Sequence, residues 1–198
     1  MTKKKEEIKQ NDLILEFEQV FTFDGEMNPE NVYEFINSVE TNFRPETQRI
    51  KVYLTSAGGS IAHSSVLIDY FNNFTVPVVL ISFWELSSAA FDVFFKSVKC
   101  ERIVLEDSFS MLHKMSFTAN LLHSNNEYSF EKVLTNFYKN RQMKSLEWFK
   151  SLGITDKEIK QIKNGKEIII NSIRINEMLS NQMKTLNQNN VKFYIPNK

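Results

Sequence analysis

Cysteine is all but missing from this chain: Cys100 is the only one in 198 residues. No intrachain disulfide can form, and a cysteine-rich metal site is excluded. A charge bias is missing as well, since 24 Lys and Arg balance 24 Asp and Glu. That balance argues against a strongly basic nucleic-acid binder and leaves no acidic tail to explain. No apolar run approaches the roughly 18 residues that a membrane span requires. The opening MTKKKEEIKQND is charged and lacks the apolar core of a secretory signal. These absences lead to the expectation of a cytoplasmic protein with neither a nucleic-acid nor a membrane partner. Glycine is scarce too, with five. Two of the five nevertheless stand side by side in VYLTSAGGSIAHSS (52–65), directly after an apolar run.

What is present is ordinary for a globular domain: 42% hydrophobic and 24% charged residues, with 17 phenylalanines for a bulky core and a subunit interface. The length suits one domain. Residues 1–11 read as a disordered charged tail and 12–198 as a single domain. LILEFEQVFTF (13–23) is strand-like. Asn28 and Pro29 open a helix, with Val32, Phe35, Ile36 and Val39 on one face. Strands are expected at 49–56, 76–83, 101–106, 109–113, 167–171 and 191–195. Helices are expected at 63–74, 87–97 and 129–152, and beyond the capping box TDKE (155–158) and the strand at 167–171. Strands alternating with helices predict an α/β fold with a largely parallel sheet.

Chemistry in such folds gathers past the carboxyl ends of parallel strands. Gly58 and Gly59 lie at one such end. ELSSAA (85–90) lies at another, and a serine there has a helix dipole and an open N–H beside it. His113 follows a third. Serine, histidine and backbone donors converging on one edge are the parts of an acyl-transfer site. Either Ser87 or Ser88 could equally be a plain helix cap. A Gly-Gly after a strand is most often only a turn. His63 stands beside the glycines, and His123 in a polar loop. The spacings of the three histidines fit no usual metal-ligand pattern, so no metal and no cofactor are expected. Cys100 reads as a small buried filler, and Phe91, Phe94 and Phe95 as core or subunit contact.

SAGGS (56–60), LIDYF (67–71), SSA (87–89) and MLH (111–113) resemble the SPGGS, IYDTM, AASMG and MIHQP motifs of the Clp protease proteolytic subunit family. The register runs without gaps from Gly58 to His113, and the 25-residue step from Ser88 to His113 agrees with it. The resemblance implies the ClpP/crotonase-like spiral of ββα units, a single domain with a long helix for ring contacts, and a serine peptidase mechanism. It implies Ser88 as nucleophile, His113 as general base, and the N–H groups of Gly59 and Ala89 as oxyanion donors. Gly58, Ser60 and Ile61 would bind substrate, with SIAH extended so that a peptide adds to it as a strand.

For the third member of the triad, KEIIIN (166–171) stands where the family has an aspartate before its RFLS strand. Glu167 is the matching residue. A surface position, or a pair with Lys166, is the competing reading of Glu167. Asp156, in the capping box, reads as a helix-end residue. Further departures are Trp84 in place of a glycine, Ala90 and Phe91 for Gly-Ala, and Lys114 and Met115 for Gln-Pro. An indole at position 84 is expected to narrow or fill the cleft. These departures motivate a second reading, a catalytically silent subunit serving assembly. A crotonase-like acyl-coenzyme A enzyme ranks last, because that chemistry has no need of a Ser–His pair. The resemblance also implies peptide or unfolded-protein substrates and a homo-oligomeric ring, a heptamer or stacked tetradecamer. Relatives receive substrate from a ring ATPase. The lysine-rich start here is unlike the loops such ATPases grip, which argues against that partner.

Overall fold

The structure is a computed structural model that describes residues 17–116 and 127–186. The tail at 1–11, the strand expected at 191–195 and His123 lie outside the described residues. Six strands and six helices follow the order β1 (Glu18–Asp24), α1 (Pro29–Asn42), β2 (Arg49–Ser56), α2 (Ile61–Asn72), β3 (Val78–Leu86), α3 (Ala89–Lys96), β4 (Glu101–Val104), β5 (Phe109–Leu112), α4 (Glu127–Ser151), α5 (Asp156–Lys163), β6 (Ile168–Asn171) and α6 (Ser172–Leu186).

Local chemistry sets several of these boundaries. Asn28 caps α1 by accepting from the Asn31 N–H at 2.8 Å, and Pro29 occupies the first turn, where no N–H is needed. Val32, Phe35 and Val39 are buried along one face of α1, with Ile36 packed at its edge. The Thr155–Glu158 capping box opens α5 as expected.

The sheet runs β1-β2-β3-β5-β6, with β4 paired to β3 off that path. Every pairing is parallel except β5 with β6. The architecture is therefore α/β with a mostly parallel sheet. β3 serves two partners along its length: Val79–Ser82 pair with β4, and Glu85 pairs with Phe109 of β5. Between them the β2–β3 register slips, from Leu54 opposite Ser82 to Ser56 opposite Leu86. The bulge contains Trp84, at φ 63°. A bulge bends and twists its strand, and here it coincides with the hand-over from β4 to β5.

Apart from the Asp92–Lys96 stripe α3 is apolar, and Phe91, Phe94 and Phe95 are fully buried in the core. Phe91 and Phe95 stack at 4.2 Å, and Phe91 meets Trp148 and Phe149 of α4 edge-on. Burying one such ring contributes about 2–3 kcal/mol, so α3 is anchored firmly behind its N-terminus. The phenylalanine cluster is internal core. Cys100 is buried, and burial pushes its thiol pKa up to about 12, which makes it inert filler. Among the described residues, no helix is long and apolar enough to cross a membrane.

Candidate active site

Three strand ends meet where β2, β3 and β5 stop, and they are laced together by backbone and serine hydroxyl groups. The Ser87 N–H donates to the Ser56 carbonyl at 2.9 Å, and the Ser88 N–H to the Met111 carbonyl at 3.0 Å. In return the Met111 N–H donates to Ser87 Oγ at 3.0 Å. Ser110 Oγ donates to the Leu86 carbonyl at 2.5 Å. Ser87, Ser110 and Ser56 are all buried. Ser87 is thus spent on holding β5, which leaves the neighbouring hydroxyl for something else.

Ser88 is that neighbour. It stands at the N-cap of α3 but makes no capping hydrogen bond, and its φ of 51° and ψ of −119° fall where residues with a Cβ are strained. A side chain on a tight strand-to-helix turn of this kind is thrust outward at the sheet edge. Its Oγ lies 2.7 Å from His113 Nε2. The lacing explains the meeting. Met111 is bonded to the Ser87–Ser88 turn, and His113 lies two residues on, so the extended chain turns its side chain to the same side. With the imidazole neutral and its proton on Nδ1, the Ser88 hydroxyl donates to Nε2. Such a pair can pass a proton from hydroxyl to imidazole as oxygen attacks a carbonyl.

The glycines explain how a backbone comes so close. A Cβ on Gly58 would sit 2.6 Å from Ser88 Cβ and 2.8 Å from the Ser87 carbonyl oxygen, and its φ is +102°. Only glycine fits there. Gly58 is pinned on both sides, its N–H donating to Ser56 Oγ and its carbonyl accepting from the Met27 N–H at 2.7 Å. The Ser60 N–H then donates to the Met27 carbonyl. The bridge between Met27 and Gly59 uses the groups on either side of Gly59, so the Gly59 N–H itself has no partner among the described residues. The same holds for the Ala89 N–H, the first amide of α3. Two open donors on adjoining loops, one at a helix N-terminus, can hold a negatively charged oxygen.

Residues 60–63 differ from the extended expectation. Ser60 is the N-cap of α2, accepting from the His63 N–H, and Ile61 is the first helical residue. Four open amide groups at a helix start favour a capping side chain, and Ser60 provides it. The His63 ring also bonds Ser60 Oγ at 2.9 Å, so this histidine serves the cap. Trp84 stands in the bulge, 58% exposed and edge-on to Phe109, and the Ser88–His113 hydrogen bond forms with it in place.

The third position is built less completely. One step past the last ladder pair, Leu112 with Ile168, the antiparallel register sets Glu167 opposite His113. The Glu167 side chain is nonetheless exposed and makes no hydrogen bond to His113, whose only side-chain bond among the described residues is to Ser88. Asp156 points away to Lys150 at 2.6 Å, in the first turn of α5. Sequence reasoning passed over Ser56 and Ser110 and read Ser87 only as a candidate helix cap. Their serine-at-strand-end pattern was visible, but its meaning required the pairing.

A family profile described as Clp protease matches residues 38–147, more than half of the chain. No curated protein sequence matches significantly. Among solved structures the chain is similar to a ClpP1 mutant from Listeria monocytogenes, at 14% identity and a TM-score of 0.56, covering 90% of this chain and 92% of that one. That likeness is one of fold. With the profile running through both loops of the site, this chain belongs to the Clp protease family.

Proposed function

We propose that this protein is a serine peptidase that hydrolyses peptide bonds through an acyl-enzyme. The observation that carries the reading is the 2.7 Å contact of Ser88 Oγ with His113 Nε2, beneath two main-chain amides that have no partner among the described residues. Ser88 attacks the scissile carbonyl while His113 takes its proton. The N–H groups of Gly59 and Ala89 receive the oxyanion, and the backbone at Gly58–Ser60, with Ile61 beside it, borders the bound peptide. His113 returns the proton to the leaving amine, and water then releases the acyl group by the same route. Glu167, opposite in register, orients His113 through Nδ1 once its side chain swings inward.

The reading extends to a single domain from residue 12 onward, working in the cytoplasm as a homo-oligomeric ring on peptides or unfolded protein. Membership in the Clp protease family supports the ring, and α4 is the element that extends farthest along the chain to make it. A fluorophosphonate probe tests the chemistry. Labelling at Ser88 that disappears in Ser88→Ala supports a peptidase.

A second reading, a silent subunit serving assembly, is favoured by one observation: no carboxylate bonds His113 among the described residues. A folded, oligomeric protein that takes no label would establish it.

A further inference from the structure

One helical turn along α3 from Ser88 lies a cavity of about 210 Å³ lined by Asp92, Lys96, Met115, Arg141, Lys144, Ser145 and Trp148. Two of these residues are close in the chain to the site. Asp92 is one helical turn along α3 from Ser88, its N–H reaching the Ser88 carbonyl at 3.4 Å, and Met115 is two residues past His113. The opposite wall is the face of α4 carrying Arg141, Lys144, Ser145 and Trp148.

Among the described residues, three cations and one carboxylate line this space, and Lys96 and Asp92 are paired with each other. Lys96 Nζ bonds Asp92 Oδ2 at 2.6 Å and lies 4.5 Å from the centre of the Trp148 ring. Arg141 and Lys144 make no ion pair with any described residue, and both are exposed at the cavity mouth. The lining therefore carries an unbalanced positive charge over an aromatic floor. A cavity of this volume holds one medium side chain.

We infer that this pocket receives an acidic side chain, glutamate or aspartate, of the substrate residue whose carbonyl Ser88 attacks. The inference rests on the peptidase reading. Arg141 and Lys144 are the specificity-determining residues, the guanidinium offering a two-pronged grip on carboxylate and the ammonium a point charge. Asp92 is bound by Lys96 and also lies in the field of Arg141, so the described charges of the pocket still sum to positive. A lysine or arginine side chain would meet two cations of its own sign, which costs binding. An uncharged apolar side chain would leave the cations unaddressed and gain only contact with Trp148 and Met115.

The test uses peptidyl diphenyl phosphonates that differ only in the side chain next to phosphorus: glutamate, leucine or lysine. Ser88 Oγ displaces phenoxide from phosphorus while its proton passes to His113, so the rate of labelling reports the pocket without turnover. The full chain should label about tenfold faster with the glutamate probe than with the leucine probe, and slowest with lysine. The double variant Arg141→Gln, Lys144→Gln should bring the glutamate-to-leucine ratio close to one. A ratio within one preparation is insensitive to any loss of folded or assembled protein. Labelling of Ser88 with leucine or lysine preferred, or a glutamate preference unmoved by the double variant, overturns the pocket assignment and leaves the peptidase standing. No labelling by any probe, nor by a simple fluorophosphonate, removes the peptidase reading and the pocket with it.

Discussion

The two sides of His113 are built in opposite ways. On the Nε2 side, Ser88 sits in a turn stitched to β2 and β5 by four hydrogen bonds, behind which Phe91, Phe94 and Phe95 are fully buried. On the other side stands an edge of two antiparallel four-residue strands, beside which Glu167 is exposed to solvent. The attacking half is therefore preorganised and the orienting half is not. Preorganisation matters more where bonds are made, because positioned groups there lower the barrier without reorganising during reaction.

Substitutions at Ser88 should have the largest effect. Ser88→Ala should lower peptidase activity at least about 10³-fold, measured with a fluorogenic peptide, with no change in oligomeric state. Ser88→Gly should be equally inactive yet more stable in denaturant by about 1 kcal/mol, since glycine accepts the strained φ and ψ. A less stable Ser88→Gly would show that the strain is not there.

Gly58→Ala comes next. Its new Cβ would meet Ser88 Cβ and two backbone atoms inside 3.0 Å, so activity should drop about 100-fold and stability by about 2–4 kcal/mol. Gly165→Ala is the control: φ is +79° but nothing lies within 4 Å. It should cost only about 1 kcal/mol and leave activity alone.

Glu167→Gln tests the weaker half directly. A fall of about tenfold in kcat with KM unchanged is expected, well short of the Ser88 effect. No change at all would make the site a Ser–His pair.

The smallest effect should come from the α5–α6 contact, remote from the chemistry. The two-pronged bond from Arg174, at 2.5 and 2.7 Å, with help from Thr155, holds the Glu158 carboxyl down at about 2. A carboxyl depressed on folding stabilises the protein above its ordinary value of 4.5, and that contribution is lost as pH falls from there towards 2. Arg174→Met should cost about 2 kcal/mol at pH 7 and much less at pH 2, by urea titration, with activity intact.

Much of this was legible in the chain. The caps at Asn28 and Thr155, the period of α1, and β2 from Arg49 to Ser56 are all local signals, and the structure keeps them. The Gly58-to-His113 register also brought Ser88 and His113 to one edge. Misreadings came where local signals compete. SIAH alternates polar and apolar residues as a strand does, but Ser60 is also a strong cap, and the cap prevailed. The bulge at Trp84 was not legible, because nothing in a linear pattern announces a bulge between two pairing partners.

By itself the sequence determined the helices and strands, the need for glycine at position 58, and the interval between hydroxyl and imidazole, since those follow from propensities, caps and spacing within a few turns of chain. Only the tertiary structure decided that Ser87 is bound to β5 while Ser88 faces His113, that Trp84 stands exposed in a bulge, that Glu167 stays outside, and that Arg141 and Lys144 share a pocket with Asp92 and Met115. Each depends on groups far apart in sequence brought together by strand pairing and core packing, where one residue of register redirects every side chain that follows.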